Sequence, residues 1–184
     1  MPGHVCPWWL GYLIDNPLRR LLHNPEKFVG PYVKPGMAVM DVGCGMGIFS
    51  IAMAKMVGAA GCVTAVDIQQ KMLDTLRKRA EKAGVADRIR THRCEPNRLD
   101  IEARVDFVLA SAMMHEVPDA RRLLAEIHTC LKPGGRLLIA EPRFHVSGWV
   151  FAETIAAAKD VGLRWVEEPW VRHSRAALLE KERQ

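Results

Sequence analysis

The chain has 184 residues, 49% of them hydrophobic, with 26 Lys and Arg against 21 Asp and Glu for a formal charge of +5. That length suits one compact domain, or a domain with a modest appendage, and the apolar content excludes disorder as the default. A mild positive charge is compatible with an anionic substrate or with RNA and requires neither. The five cysteines (Cys6, Cys44, Cys62, Cys94, Cys130) are scattered, odd in number and free of CxxC spacing. They therefore indicate neither a metal site nor a disulfide framework, and free thiols suit a reducing compartment. The N-terminus lacks a cationic start followed by an apolar core, and the apolar runs are too short to span a bilayer. A soluble cytoplasmic protein with no membrane span is expected.

In chain order, residues 1–33 are rich in Pro and Trp and read as short broken helices, a lid segment ahead of the main domain at 34–184. Asn16-Pro17 and Asn24-Pro25 each pair an N-cap with Pro at the first helical position, where the missing N–H is not needed. From Ala38 the pattern alternates. Strands are predicted at 38–42, 63–66, 89–93, 105–110 and 136–140, and helices at 48–57, 69–83, 120–131 and 148–161. Lys132-Pro133-Gly134-Gly135 reads as the stop between the third helix and the fifth strand. Two last strands are predicted at 163–167 and 173–179, with five residues between them. Alternating strands and helices imply a mostly parallel, doubly wound sheet of about seven strands, covered on both faces. Five residues are too few for a crossover helix, so the last pair is expected to be antiparallel, ending the sheet in an antiparallel edge strand.

The sharpest motif is Asp41-Val42-Gly43-Cys44-Gly45-Met46-Gly47, between a strand and a helix. Glycines there permit φ values closed to other residues and let bare backbone approach a ligand. The third glycine comes one residue too early for the dinucleotide GxGxxG, and no GxxxxGK[ST] is present. An acid two residues before the first glycine suits an adenosyl amino acid, which carries an ammonium and a sulfonium and no phosphate. Asp67 ends the second strand, at the spacing where a carboxylate accepts both ribose hydroxyls of an adenosine. An Ala at 67 is accordingly expected to weaken cofactor binding and to leave ligand-free stability nearly unchanged.

With these residues the chain resembles the class I, Rossmann-like methyltransferases dependent on S-adenosylmethionine, in the small-molecule branch that includes the ubiquinone and menaquinone methyltransferases. Three segments carry the resemblance: VMDVGCGMGIFS at 39–50, VTAVDIQQKML at 63–73, and DFVLASAMMHEVPDARRLLAEIHTCLKPGGRLLIAEP at 106–142. The resemblance implies S-adenosyl-L-methionine as cofactor and S-adenosyl-L-homocysteine as product. It implies Gly43, Gly45 and Gly47 around the methionine part, Asp41 on its ammonium, Asp67 on the ribose and Ile68 against the adenine. The family's Gly-Asp step after the next strand reads Cys94-Glu95 here, and Glu95 would meet the adenine amino group. Ala110 and Ser111, ending the fourth strand, would line the methionine end.

Methyl transfer from a sulfonium is an in-line displacement in which the protein supplies alignment, water exclusion and, for a protonated acceptor, a base. Candidate bases follow the fourth strand: His115, with a pKa near neutrality, and Glu116. The bland alternative for His115 is packing at the start of the next helix. Met114 reads as a wall of the acceptor pocket, and Trp8, Trp9 and Tyr12 as a lid over cofactor and acceptor, or as plugs for the sheet. No [Asp/Asn]-Pro-Pro-aromatic or Pro-Cys segment follows the fourth strand, which disfavours base methylation in nucleic acids. The eight basic residues between 67 and 93 read first as the solvated face of a helix. A transferase acting on a small acceptor, as a monomer or homodimer without nucleic acid, is the expectation. Its rivals are an RNA or protein methyltransferase using the basic surface, and a cofactor-binding module without catalysis.

Overall fold

The computed structural model describes residues 24–183. The expected lid residues Trp8, Trp9 and Tyr12, together with Cys6 and Asn16-Pro17, lie outside the described residues. Two compact units divide between Cys94 and Glu95.

The first unit opens with α1 (Pro25–Val29), where the Asn24 side chain accepts from the Glu26 and Lys27 N–H groups and Pro25 occupies the first turn. Then come β1 (Ala38–Val42), α2 (Ile48–Val57), β2 (Cys62–Asp67), α3 (Gln70–Lys82) and β3 (Ile89–Arg93). β2 pairs in parallel with both β1 and β3. Val39, Met40, Val63, Ala65 and Val66 are fully buried, as strands covered on both faces require. Helix α3 is amphipathic: Met72, Leu73, Leu76 and Ala80 face inward, at spacings of one, three and four residues. Two residues of its basic face are engaged locally. Arg77 pairs with Asp74 at 3.1 Å, and the Arg79 guanidinium donates to the Met46 carbonyl at 3.3 Å. Beyond the helix, Arg88 and Arg93 donate to the carbonyls of Ala54 and Ile68.

The second unit holds β4 (Val105–Ser111), a single 3₁₀ turn (Met114–Glu116), α4 (Ala120–Cys130), β5 (Leu131–Pro142), α5 (Gly148–Asp160), β6 (Leu163–Glu167) and β7 (Ser174–Lys181). β4 and β5 are parallel, and β7 is antiparallel to both β5 and β6. The strand order is β3-β2-β1 in the first unit and β4-β5-β7-β6 in the second.

Two expectations are corrected here. The antiparallel last strand is present, but it is not at the edge: β7 inserts between β5 and β6, and β6 is outermost. The burial explains it. Ala176, Ala177, Leu178 and Leu179 are buried in succession, as a central strand needs, whereas β6 leaves Arg164 and Glu167 in solvent. The Lys-Pro-Gly-Gly stop also lies inside β5. Val105 pairs with Leu131 and Phe107 with Arg136, so the segment bulges out between two paired positions. Pro133 has no N–H for the ladder and Gly134 takes φ 75°, both marks of a bulge.

Candidate active site

In the first unit the exit from β1 builds a cradle. Gly43, Gly45 and Gly47 all take positive φ, at 70°, 53° and 84°. The N–H groups of Gly43 and Cys44 both donate to the Val66 carbonyl at 2.9 Å, which ties the loop to the end of β2. Two of these glycines do different work. A Cβ at Gly47 would stand 1.9 Å from a Leu76 methyl, so this glycine admits α3 against the loop as well as opening α2. A Cβ at Gly45 would meet nothing within 4 Å. Gly45 is the position whose bare backbone faces open space.

Two carboxylates stand behind this loop. Asp41 is 2% exposed and accepts the Ser50 hydroxyl at 2.5 Å. Burial pushes its pKa up to about 7; the Ser50 hydrogen bond opposes the rise and the nearby Asp67 charge adds to it. Asp67 accepts the Gly45 N–H at 2.9 Å on one oxygen and the Gln69 N–H at 2.8 Å on the other. Burial raises its pKa too, against the lowering effect of the Gln69 and Gly45 N–H groups. Among the described residues no Lys or Arg is hydrogen-bonded to either acid. Two desolvated carboxylates without a cationic partner suit a ligand that brings positive charge, and they repel a pyrophosphate. Each Asp67 oxygen keeps a further lone pair, enough for two sugar hydroxyls. The residues present therefore fit S-adenosylmethionine.

Asp67 also holds the loop, which changes one expectation. The Asp67→Ala variant leaves two N–H groups without their acceptor, so it is expected to lose ligand-free stability, by about 1–3 kcal/mol, as well as cofactor affinity. Thermal unfolding without ligand checks this, and an unchanged midpoint would return Asp67 to ligand contact alone. Ile68, beside it, is half-buried.

In the second unit the exit from β4 builds a different group. Ala110 is fully buried and Ser111 half-buried, paired with Ile139 and Ala140. Ala112 then takes φ 55°, a left-handed conformation that side chains rarely adopt, with its N–H on the Ala140 carbonyl at 2.7 Å. That kink delivers the Met113–Glu116 turn to the end of β5, where Glu141 waits at 1% exposure. One Glu141 oxygen accepts the N–H groups of Met113 and Met114, at 3.2 and 2.8 Å. The other stands 2.5 Å from His115 Nδ1. Because a carboxylate only accepts, Nδ1 carries the proton and Nε2 is left with its lone pair. The Glu141 hydrogen bond raises the His115 pKa above its usual value, against desolvation. The His115 and His145 rings pack in a T-shaped arrangement, with centroids 4.7 Å apart. Glu116 lies 3.9 Å from Nε2, Met114 is buried at 2% exposure, and Glu95 is exposed at a turn closed with Arg98.

Sequence reasoning singled out Asp41 and His115 but missed the residue that holds each. Ser50 was signalled only as a polar residue in the otherwise apolar first turns of α2. Glu141 was signalled as an acid closing the aliphatic run Leu137-Leu138-Ile139-Ala140.

The fold, the glycine loop and the acids behind it define the Rossmann-like, S-adenosylmethionine-dependent methyltransferase class. Comparison with known proteins agrees, since the family model described as a methyltransferase domain matches residues 39–135. This chain belongs to that family. The demethylmenaquinone methyltransferase of Lactobacillus johnsonii is 36% identical over 110 residues, covering 59% of this chain and 45% of that protein. The ubiquinone biosynthesis O-methyltransferase of Azotobacter vinelandii is 33% identical over 134 residues, covering 72% of this chain and 56% of that protein. The chain thus spans about half the length of these curated relatives. A solved SAM-dependent methyltransferase from Aquifex aeolicus superposes with a TM-score of 0.85 at 25% identity, covering 96% of this chain and 99% of that one.

Proposed function

We propose that this chain transfers the methyl group of S-adenosylmethionine to a hydroxyl of a small aromatic acceptor, in the cytoplasm, as a monomer or homodimer. The observation that carries the reading is the buried Glu141 bonded to His115. An acid sealed from solvent that fixes one imidazole nitrogen leaves the other as an oriented base, and a hydroxyl acceptor is the kind that needs one. The relatives named for demethylmenaquinone and ubiquinone support an acceptor of phenol or hydroquinone type, and the second of them is named for O-methylation.

When bound, S-adenosylmethionine supplies an electrophilic methyl on a sulfonium. Asp41 would hold its ammonium, Asp67 its ribose hydroxyls, Gly45 would present backbone to its methionine part, and Gly43 and Gly47 would shape the loop. Ile68 and Glu95 would address the adenine, and Ala110 and Ser111 the methionine end. His115 Nε2 takes the acceptor's hydroxyl proton as the oxygen bonds to the methyl carbon. The sulfonium would supply the leaving group, taking the electron pair of the carbon–sulfur bond to give S-adenosylhomocysteine. Glu141 holds the imidazolium that forms, Glu116 adds negative charge beside it, and Met114 supports the turn.

A test is to incubate the protein with methyl-labelled S-adenosylmethionine and matched catechols, anilines and thiophenols. Labelled methyl ethers are the expected product. Label only on nitrogen or sulfur, or none at all, would overturn the proposal.

A further inference from the structure

The cavity bordered by α5, β6 and the start of β7 belongs to neither group of residues described above. Its volume is about 420 Å³, within the range of ~300–1,000 Å³ common for small-molecule sites. Phe151, Ile155 and Trp165 form its apolar walls. Three cations, Arg143, Lys159 and Arg175, border it together with a single acid, Glu168.

The cations are held by neutral groups. Arg143 Nε donates to the Ser174 carbonyl at 2.8 Å, and Arg175 donates one guanidinium N–H to the Val146 carbonyl at 3.0 Å. The Lys159 ammonium sits 5.8 Å from the centre of the Trp165 ring. Among the described residues none of the three has a carboxylate partner. Each guanidinium is therefore oriented by one backbone bond, with the rest of its five donors and its full charge left over. Oriented, uncompensated guanidinium groups beside apolar walls match an amphipathic anion, because the charge and the desolvated body are recognised together.

We propose that this cavity binds a small aromatic or aliphatic carboxylate, its body against Phe151, Ile155 and Trp165 and its carboxylate on Arg143 and Arg175. The site is independent of the methyl-transfer reading, and its test does not require turnover.

Calorimetric titration of the full chain with 1-naphthaleneacetate, and with the neutral 1-naphthaleneethanol, reads the site directly. The acid is expected to bind about tenfold or more tightly than the alcohol, since charge-assisted hydrogen bonds carry that difference. The R175A variant is expected to lose that preference. Because Arg175 also supports the chain at Val146, a second variant is needed. Ala152 lines the cavity and is exposed, so A152W fills the space from the surface with the fold intact and is expected to abolish binding of both probes. Equal binding of acid and alcohol, no binding of either, or wild-type binding by A152W would each overturn the proposal.

Discussion

The affinity of the Asp41→Asn variant for S-adenosylmethionine is expected to be weak and nearly independent of pH between 5 and 8, whereas the wild-type affinity climbs from pH 5 to about 7 and then levels off. Asp41 is 2% exposed, and burial raises its pKa to about 7. A cationic ligand binds the carboxylate, so below that pKa a proton must leave first, which weakens binding up to about tenfold per pH unit. Above it the carboxylate is already ionised and the dependence flattens. The ligand-free protein carries the opposite signature. A carboxyl whose folded pKa exceeds its unfolded value takes up a proton on folding. Its contribution is full below pH ~4 and is lost as pH rises through about 7, by a few kcal/mol at most. Asn keeps an acceptor for the Ser50 hydroxyl and cannot ionise, so that part of the pH slope of melting should vanish. Melting curves and calorimetry at matched pH values check both halves. Parallel pH profiles for wild type and variant would show that Asp41 neither meets the cation nor strains the cradle.

The Glu141→Gln variant is expected to lose about 10²–10⁴ in kcat with the cofactor Kd unchanged. The amide oxygen can still accept the Met113 and Met114 N–H groups that Glu141 accepts now. Its NH₂ then faces His115 Nδ1, which must become an acceptor, and the ring proton moves to Nε2. The imidazole keeps its place and loses the lone pair that serves as base. His115→Ala should fall to a similar level, and the double variant little further, as for groups acting as a unit. In the wild type His115 must be neutral to accept a proton. Its pKa is raised, chiefly by the Glu141 hydrogen bond, so kcat should rise with pH through a value above 6.5. A Glu141→Gln enzyme within a few-fold of wild type would reduce the pair to a structural contact under the Met113–Glu116 turn.

Local order was written into the sequence itself. The limits of α2 at Ile48 and Val57 and of β1 and β3 follow from apolar runs bounded by glycine and polar turns, because periodicity and turn chemistry are properties of neighbouring residues. The glycine loop and Asp67 were readable for the same reason, since a strand, a tight turn and a helix in succession bring one strand end beside the next. Even the antiparallel pairing of β6 and β7 followed from the short link between them. What no local pattern contained was partnership across the sheet. Ser50 meets Asp41 only because α2 folds back on β1, and Glu141 meets His115, 26 residues away, only because β4 and β5 are neighbours in register. The insertion of β7 between β5 and β6, and with it the cavity holding Arg143, Lys159 and Arg175, was likewise a choice of strand order. Such choices are made by burying apolar faces against distant segments, a free energy that belongs to the packed whole and to no single stretch of chain.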